Sequence, residues 1–400
     1  MKSTNLPRPS ERAAVLSGHQ RLKMAASAHA YVRGNTVKFY EWLESQRRNS
    51  LPEGPPVWIC GDCHAGNLGP VADAKGRVEI QIRDFDQTVI GNPGHDLIRL
   101  GLSLATAARG SDLPGVTTAK ILEQMIEGYG QAMSKEGNDT EERPKSVGVV
   151  MKRAIARSWK HLAKERIEDT KPTIPLGEKF WPLSRMEMAQ IKELFKGEDA
   201  RKLATMLRSR DDDASVDVVD AAYWMKGCSS LGRLRIAVLL SVANGRKDGL
   251  CLMDVKEAAR AAAPQSRRVS MPRNSAARVV EGARHLSPAL GQRMLAAQLG
   301  NRPVFVRELL PQDLKLEIAQ LTRAEAMRAA MFLAGVVGTA HARQMDVATR
   351  RRWRRELGRG RSKSMDAPSW LWSSVVALIA AHETGYLEHC RRFAMEVADR

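Results

Sequence analysis

The sequence predicts an α+β protein, mostly helical and with a small antiparallel sheet. Apolar residues recur at three-to-four-residue spacing near both ends of the chain, which is the period of an amphipathic helix. Between residues 216 and 256 the pattern changes to three short apolar runs separated by turns that contain glycine. Such runs are typical of an antiparallel meander.

The first part of the chain alternates between helices and two short strands. The break at Arg33-Gly34 divides the first helical region. The runs 57–60 and 78–82 are too short for helices and suit buried strands, with a turn at 73–76 before the second. The predicted helices are 11–47 and 96–129, the latter interrupted at 110–114.

The remaining elements follow from the same criteria. Residues 134–148 are polar and indicate a linker, and the three strands of the meander are 216–225, 233–242 and 250–256. A further strand is predicted at 304–310. Helices are predicted at 149–163, 185–206, 275–285, 323–343 and 370–397.

Length and cysteine content favour a multi-unit protein in a reducing compartment. At roughly 150 residues per domain, 400 residues make two or three compact units. Five cysteines do not form a disulfide framework, so we expect a cytoplasmic setting. The first ten residues do not resemble a secretory signal, and the apolar stretches 331–340 and 370–381 are too short to span a bilayer.

The charge of the chain is strongly positive. Lys and Arg number 63 against 45 Asp and Glu, which gives a formal net charge of +18. A nucleic acid, an acidic surface or a phosphorylated ligand would each suit such a protein. The most basic segment, Arg350–Lys363, could bind nucleic-acid phosphates, or it could be a solvated basic loop.

The densest group of chemically active residues lies after the first two strands. Asp62 and Asn67 stand five residues apart in the glycine-rich segment after the first strand, and Asp84 follows the second. Oxygen ligands of this kind suit Mg²⁺, which one or two protein groups and substrate phosphates usually hold. Phosphoryl transfer needs an Asp near the acceptor hydroxyl, an Asn five residues later and a second metal-binding Asp.

These segments resemble three motifs of aminoglycoside and choline kinase-type phosphotransferases. Gly61-Asp62-Cys63-His64-Ala65-Gly66-Asn67 is similar to their catalytic loop. Ile82-Arg83-Asp84-Phe85-Asp86 resembles their metal-binding segment, and Gly91–Leu97 resembles the Gly-x-Pro-x-x-Asp-Leu that follows. The resemblance implies that Asp62 accepts or orients the hydroxyl proton, His64 holds the loop through backbone hydrogen bonds, and Asn67 with Asp84 holds Mg²⁺.

The nucleotide-binding parts of such an enzyme resemble segments downstream rather than upstream. Gly227–Gly232, which includes Ser229 and Ser230, is similar to a glycine-rich phosphate loop. The resemblance assigns Lys256 to the ATP phosphates and Glu281 to the orientation of that lysine. The strand 304–310, with Glu308 and Leu310, resembles the hinge where adenine docks.

This order resembles a large uncharacterised bacterial family, domain of unknown function 2252, whose members look like circularly permuted kinases. The likeness extends over residues 23–34 and 340–343. It implies a two-lobed protein-kinase-like fold and ATP- and Mg²⁺-dependent phosphorylation of an unknown acceptor, a small molecule or a protein. The implied organisation is a catalytic lobe (1–133), a helical insert or linker (134–215), a nucleotide-binding lobe (216–320) and C-terminal helices that pack on the catalytic lobe (321–400).

Two departures from the family pattern leave a weaker alternative open. Ser229 replaces the usual middle glycine of the phosphate loop, which restricts backbone approach to a phosphate, and Cys63 is unusual in the catalytic loop. The alternative is a lapsed kinase-like protein that binds nucleotide, nucleic acid or another anion.

The cysteines and histidines allow other interpretations. Cys60-x-x-Cys63-His64 matches a c-type haem attachment motif and a redox pair, and a zinc site could recruit His95. We expect His341, on a helix of small apolar residues, to be a core histidine rather than a ligand. Arg33 could reach a phosphate or form a structural ion pair.

Overall fold

The computed structural model describes residues 6–47, 50–110, 115–134, 144, 147–149, 151–152, 173–207, 210–227, 231–244, 247–310, 322–360 and 367–398. Of the predicted basic helix 149–163, residues 150 and 153–163 lie outside these ranges, as does most of the predicted linker.

The N-terminal region contains helices and two separate two-stranded sheets. The predicted break near Gly34 is confirmed, because the helix over 28–34 ends there and Asn35 caps the next one with a hydrogen bond to Lys38 N. The elements are α1 (Arg12–Ala25), α2 (Ala28–Gly34), α3 (Thr36–Glu44), β1 (Val57–Ile59), β2 (Leu68–Ala72), β3 (Val78–Ile82), β4 (Val89–Gly91), α4 (Pro93–Arg109) and α5 (Gly115–Ser134).

The two predicted strands of this region are not neighbours. Strand β1 pairs with β4, and β2 pairs with β3, both antiparallel. Strands β2 and β4 were not predicted from the sequence, since β2 contains Gly69 and Pro70 and β4 has only three residues. Helix α4 begins three residues before the predicted start at residue 96, because Asn92 caps it and Pro93 suits its first turn.

The second half of the chain builds the larger sheet and a group of long helices. Capping boxes start two of the helices, at Ser184 with Glu187 and at Thr322 with Glu325. The elements are β5 (Phe180–Trp181), α6 (Arg185–Lys196), α7 (Glu198–Thr205), β6 (Ser215–Trp224), β7 (Arg235–Asn244), β8 (Lys247–Glu257), α8 (Ser275–Leu286), α9 (Pro288–Gly291), β9 (Met294–Leu299), β10 (Arg302–Glu308), α10 (Arg323–Ala342), α11 (Val347–Leu357) and α12 (Ser369–Ala398).

The larger sheet is antiparallel, with strand order β5-β6-β7-β8-β10-β9. The predicted meander is confirmed as β6-β7-β8, and the α+β class is confirmed with it. The edge strands β5 and β9 were missed. Helices α6 and α7 contribute Ile191, Phe195 and Leu203 to an apolar cluster with the sheet residues Val238, Met253 and Val255.

The largest apolar cluster lies among the long helices. Helices α5 and α10 approach closely because both have glycines at their contact. A Cβ on Gly128 would lie 2.0 Å from the carbonyl oxygen of Met331, and one on Gly338 would lie 2.8 Å from the Ala132 side chain. Helix α10 is therefore packed against α5 at backbone distance.

Helix α1 contacts both the large sheet and the C-terminal helix. The Arg12 side chain pairs with Glu187 at 2.7 Å and covers the ring of Tyr223. At the other end of α1, the Ala25 carbonyl accepts a hydrogen bond from Tyr386 on α12 at 3.1 Å. The first and last helices among the described residues are thus in direct contact.

No helix among the described residues is long and apolar enough to span a bilayer. The partial sequences 331–340 and 370–381, noted above for their apolarity, belong to α10 and α12.

The contact between α5 and α10 gives a direct test of the packing. We expect Gly128→Ala to lower the free energy of unfolding by about 3 kcal/mol or more, because the new methyl group overlaps the backbone of Met331. Gly130→Ala is the matched control, since a Cβ there meets nothing within 4 Å and should raise helix stability by up to about 1 kcal/mol. Urea unfolding measures the free energy of unfolding of both variants. Equal values for the two variants would contradict the close packing of α5 against α10.

Candidate active site

The loop that follows β1 is shaped by a glycine. Gly61 has a φ of +76°, and a Cβ there would lie 2.1 Å from the carbonyl oxygen of Gln87. The chain then forms a 3-10 turn at Ala65–Asn67, and Asn67 Nδ2 donates to the carbonyl oxygen of Asp62 at 2.9 Å. The predicted site residues Asp62 and Asn67 are therefore held in one tight loop.

The loop is fixed to the helices by the carboxylate of Asp96. Its two oxygens accept hydrogen bonds from the backbone amides of Cys60, at 2.7 Å, and Gly61, at 2.9 Å. His341 Nε2 lies 3.2 Å from the same carboxylate. Both side chains are fully buried, so the prediction of a core histidine at 341 is confirmed.

A chain of hydrogen bonds continues from His341 to helix α11. The hydroxyl of Tyr129 lies 2.9 Å from His341 Nδ1 and accepts a hydrogen bond from Trp353 Nε1 at 3.1 Å. The tyrosine hydroxyl then donates to Nδ1, which leaves the proton of the imidazole on Nε2, facing Asp96. Burial raises the pKa of Tyr129, so its hydroxyl keeps the proton that this network requires.

The hairpin β2–β3 brings Asn67 and Asp84 to the same place. Asn67 immediately precedes β2, and Leu68 pairs with Ile82 at the end of β3. The backbone amide of Arg83 donates to the carbonyl oxygen of Asn67 at 2.8 Å. Asp84 is the next residue, so the two predicted metal ligands lie side by side at the open end of this hairpin.

Lys256 of the large sheet reaches the same point from the other part of the chain. Its Nζ lies 2.6 Å from Asp86 Oδ2 and 3.6 Å from Asp84 Oδ1. The lysine side chain is buried, whereas 44% of the Asp84 side chain is exposed. The structure thus places Lys256 beside the predicted metal-binding segment, with one carboxylate of that segment open to solvent.

The two carboxylates beside Lys256 differ in proton affinity. Burial alone would raise the pKa of Asp84, but the charges of Lys256, Arg307 and Arg235 outweigh it and hold that pKa well below its ordinary value. Burial and the charge of Asp84 raise the pKa of Asp86. Asp84 is therefore ionised and accessible, as a ligand for a cation must be.

A second buried carboxylate, Asp254, lies on the same face of β8 as Lys256, two residues before it. It accepts two hydrogen bonds from Arg235, at 2.8 and 2.5 Å, and one from Arg307 at 3.3 Å. Arg307 also donates to the carbonyl oxygen of Arg83 at 3.0 Å. This cluster joins the sheet to the segment that carries Asp84.

The carboxylate of Asp62 is paired with a buried arginine that the sequence analysis did not identify. Arg99 Nε donates to Asp62 Oδ1 at 2.8 Å, and Arg99 Nη2 donates to the carbonyl oxygen of Val32 at 2.6 Å. Arg99 lies on α4, three residues after Asp96, so one turn of helix supplies both anchors of the loop. The spacing Asp-x-x-Arg was the signal that could have revealed it.

His64 does not hold the loop in the predicted way. Its buried Nδ1 has no hydrogen-bond partner in the described part of the chain, and its Nε2 lies 4.0 Å from Asp62 Oδ2. Burial lowers its pKa to about 4, and this effect outweighs the charge of Asp62, which acts in the opposite direction. The imidazole is neutral at neutral pH and turns toward these charged groups, not toward the loop backbone.

Glu281 does not form the expected ion pair with Lys256. It lies on α8 and pairs instead with Arg284, at 3.5 Å, and with His285, at 3.6 Å, on the same helix. One turn earlier, Arg278 is buried and donates to the carbonyl oxygens of Asp86, at 3.0 Å, and Thr88. The helix therefore contacts the metal-binding segment through an arginine, and Asp86 takes the place beside Lys256 that was expected for Glu281.

The remaining predicted nucleotide residues are placed as follows. Gly227 and Gly232 flank the turn between β6 and β7, both with positive φ, at 102° and 97°. Ser229 and Ser230 lie outside the described residues. Glu308 ends β10 and pairs with Arg210 at 2.6 Å, and Leu310 follows it as a buried residue. These groups were predicted from resemblance, and their role in nucleotide binding stays a prediction.

The site fits a magnesium ion through two protein oxygens. Asp84 offers an ionised carboxylate. The side-chain nitrogen of Asn67 donates to the carbonyl oxygen of Asp62, so Oδ1 of Asn67 remains available to a cation. Within the described ranges no group of three or more His, Cys, Asp or Glu side chains could hold a metal. Two ligands accord with Mg²⁺, which keeps several waters or substrate oxygens.

The Cys60-x-x-Cys63 segment has the character of a packed core. Both thiols are fully buried and free. A hydrogen bond to Cys63 and burial raise the pKa of Cys60, and burial raises that of Cys63. A raised thiol pKa is the opposite of what a redox nucleophile needs.

The basic segment is a helix in its described part, not the loop that was expected. In α11 the aromatic residue Trp353 is buried, while Arg351, Arg352, Arg354 and Arg355 are exposed. The helix forms because Trp353 and Leu357, four residues apart, pack into the core. Arg361 and Lys363 lie outside the described residues.

The chain belongs to a family described as uncharacterised proteins conserved in bacteria, DUF2252, whose family model matches residues 12–392. No curated protein matches the chain. No solved structure matches it.

The buried histidines predict that the protein loses stability in mild acid. His64 and His382 have pKa values of about 4 in the folded chain, because burial disfavours their charged form, against about 6.5 when unfolded. The unfolded chain therefore binds protons first. The free energy of unfolding should fall between pH 6.5 and 4, by about 2 kcal/mol for each histidine at pH 5.

Denaturant unfolding from pH 7.5 to 5 measures this loss, and NMR titration of the imidazoles identifies its source. Both rings should remain neutral at pH 5.5. A midpoint near 6.5 for either ring would contradict the burial that the structure gives it.

Proposed function

We propose that this member of the bacterial family is an ATP- and Mg²⁺-dependent phosphotransferase with a kinase-like fold in permuted order. The observation that carries the proposal is the position of Lys256. A lysine from the large sheet reaches the carboxylates of Asp84 and Asp86, although 170 residues or more separate them in sequence. A phosphate-binding lysine beside a metal-binding Asp is the arrangement that phosphoryl transfer uses.

The residues divide the work in the following way. Lys256 would neutralise charge on the nucleotide phosphates, and Asn67 with Asp84 would hold Mg²⁺. The ion supplies charge stabilisation at the phosphate oxygens when bound. Asp62 has one oxygen engaged by Arg99, and Oδ2 accepts no hydrogen bond from the described residues. That oxygen is the natural acceptor for the hydroxyl proton of the substrate.

The reaction itself is a displacement at the γ-phosphorus. The acceptor oxygen forms a bond to that phosphorus while the bond to the β–γ bridging oxygen breaks, and ADP leaves with the bonding electrons. The hydroxyl proton passes to the Asp62 carboxylate and then to solvent. The Arg99–Asp62 pair orients the carboxylate, so the protein contributes positioning and fixed charge more than covalent chemistry.

Two substitutions test the proposal. We expect Asp84→Asn and Lys256→Met to reduce Mg²⁺-dependent ATP turnover by about 100-fold or more, since each removes a charge that acts on the phosphates. Asp217→Asn and Lys75→Met, at exposed positions, are the matched controls and should keep wild-type turnover. The measurements are ADP release with an acceptor library and nucleotide-dependent thermal stabilisation.

If the wild-type protein shows neither stabilisation by Mg²⁺ and ATP nor any ADP release, the phosphotransferase proposal is wrong. Stabilisation that depends on Lys256 without any turnover would instead identify a lapsed enzyme that still binds nucleotide.

A second candidate function, binding of nucleic acid, rests on the cavity beside α11. This open cavity of about 940 Å³ is lined by four arginines, Arg268, Arg352, Arg355 and Arg359, and by two glutamates. Arg268 pairs with Glu53 at 3.0 Å, so part of the positive charge is compensated. The buried Trp353 offers no face on which a base could stack, which leaves phosphate contacts as the source of affinity.

The salt dependence of binding separates this candidate from the kinase. If the cavity binds single-stranded RNA, log affinity should fall linearly with log salt. The magnitude of this slope should be smaller by about 1.4 in the double variant Arg352→Gln/Arg355→Gln. An unchanged slope in the double variant would exclude α11 as the binding surface.

A further inference from the structure

Two arginines beside the loop that carries Asp62 have buried nitrogen atoms without hydrogen-bond partners among the described residues. Arg99 is completely buried, and its Nη1 has no hydrogen-bond partner among the described residues. Arg33, at the end of α2, likewise has a buried Nε without a partner there. The only carboxylate paired with either arginine in the described chain is Asp62.

Arg33 lies directly against the catalytic loop. A Cβ on Gly66 would be 3.1 Å from Arg33 Nη2 and 3.2 Å from His64 Nδ1. Gly66 stands between Asp62 and Asn67 in the sequence. Because it has no side chain, the Arg33 guanidinium can lie over the loop. Beside Gly66, the guanidinium of Arg33 therefore approaches His64 Nδ1, a buried atom without a hydrogen-bond partner in the described part of the chain.

The nearby histidines add no positive charge to this place. Burial lowers the pKa of His29, of His382 and of His64, and the charge of Arg99 lowers each of them further. The charges of Asp62 and Asp84 act in the opposite direction on His64 without restoring its ordinary pKa. The imidazoles are therefore neutral at neutral pH, and the buried guanidinium nitrogens without partners are left unsatisfied, which is costly for a charged group.

We infer that the acceptor of the phosphoryl group is an anionic alcohol, whose carboxylate or phosphate group binds to Arg33 and Arg99 beside the catalytic loop. This inference rests on the proposed function, because it names the substrate class for the same site. The planar donors of arginine suit carboxylate and phosphate oxygens. Neutral His64 can donate to the same anion or to the acceptor hydroxyl that faces Asp62.

The same arrangement excludes the acceptors that the resemblance suggests first. Amine sugars and choline are cations, and a subsite formed by two guanidinium groups would repel them. Specificity for an anionic alcohol would therefore arise both from attraction of the anion and from rejection of cations.

Binding of inorganic phosphate tests the inference without turnover. We expect phosphate to stabilise the wild-type protein in thermal unfolding more than sodium chloride of equal ionic strength. Arg33→Gln should weaken phosphate binding about tenfold or more, and Arg33→Lys should weaken it less. Arg109→Gln is the matched control, because it removes an exposed arginine from the same helix as Arg99 and should bind phosphate normally.

Lys256→Met separates this anion site from the nucleotide site. The variant should keep phosphate binding while it loses ATP binding, and Arg33→Gln should show the reverse. The inference is wrong if phosphate does not stabilise the wild-type protein, if Arg33→Gln binds phosphate as well as wild type does, or if Lys256→Met abolishes phosphate binding. Failure of ATP binding with intact, Arg33-dependent phosphate binding would reject the phosphotransferase and leave the anion site standing.

Turnover then identifies the acceptor class. In assays with Mg²⁺ and ATP, D-glycerate and glycerol 3-phosphate should support ADP release, whereas glycerol and choline should not. Equal rates with glycerol and glycerate would show that the anionic group is not recognised and would overturn the assignment.

Discussion

The position of the candidate catalytic loop depends on the buried carboxylate of Asp96. A charge without solvent is unfavourable unless hydrogen bonds compensate it. Two backbone amides of the loop and the imidazole of His341 supply those bonds. The compensation is mutual, since the loop cannot move without exposing an unpaired carboxylate in the core. Helices α4 and α10, which carry Asp96 and His341, are thereby connected to the loop by hydrogen bonds as well as by packing.

The second constraint is the balance of charge between the large sheet and the hairpin that ends at Asp84. Three cations, Lys256, Arg235 and Arg307, face three carboxylates in this region, Asp84, Asp86 and Asp254. The balance explains how so many ionised groups are buried together. It also leaves Asp84, the most exposed of the carboxylates, as the one where an added cation would find an available ligand.

The sequence predicted the parts of the fold that depend on local pattern. Periodicity and turn residues, which depend only on neighbours along the chain, predicted three such parts. They are the meander β6-β7-β8, the break near Gly34 and the helix that begins at residue 275. Strand β2 was missed because Gly69 and Pro70 interrupt its apolar pattern, and β4 because it has only three residues and ends in a glycine. Helix α11 was missed because five arginines conceal the two apolar positions, Trp353 and Leu357, that fix it.

The candidate site divides in the same way. Asp62, Asn67 and Asp84 lie in continuous motifs, so their proximity follows from one hairpin. Arg99 and Asp86 contact residues that are far away in the sequence. The partner of Lys256 depends on how α8 is oriented against the site, and no local sequence pattern indicates that orientation. Glu281 was assigned from the resemblance, yet its side chain pairs with Arg284 and His285 on its own helix.

Helix α1 connects the large sheet to the C-terminal helix. Arg12 holds α6 and Tyr223, Lys23 Nζ donates to the carbonyl oxygen of Gly227 at 3.1 Å, and Ala25 accepts from α12. A rotation of the large sheet would therefore pull on the C-terminal helix as well. In mechanical terms, α1 is a strut between the two.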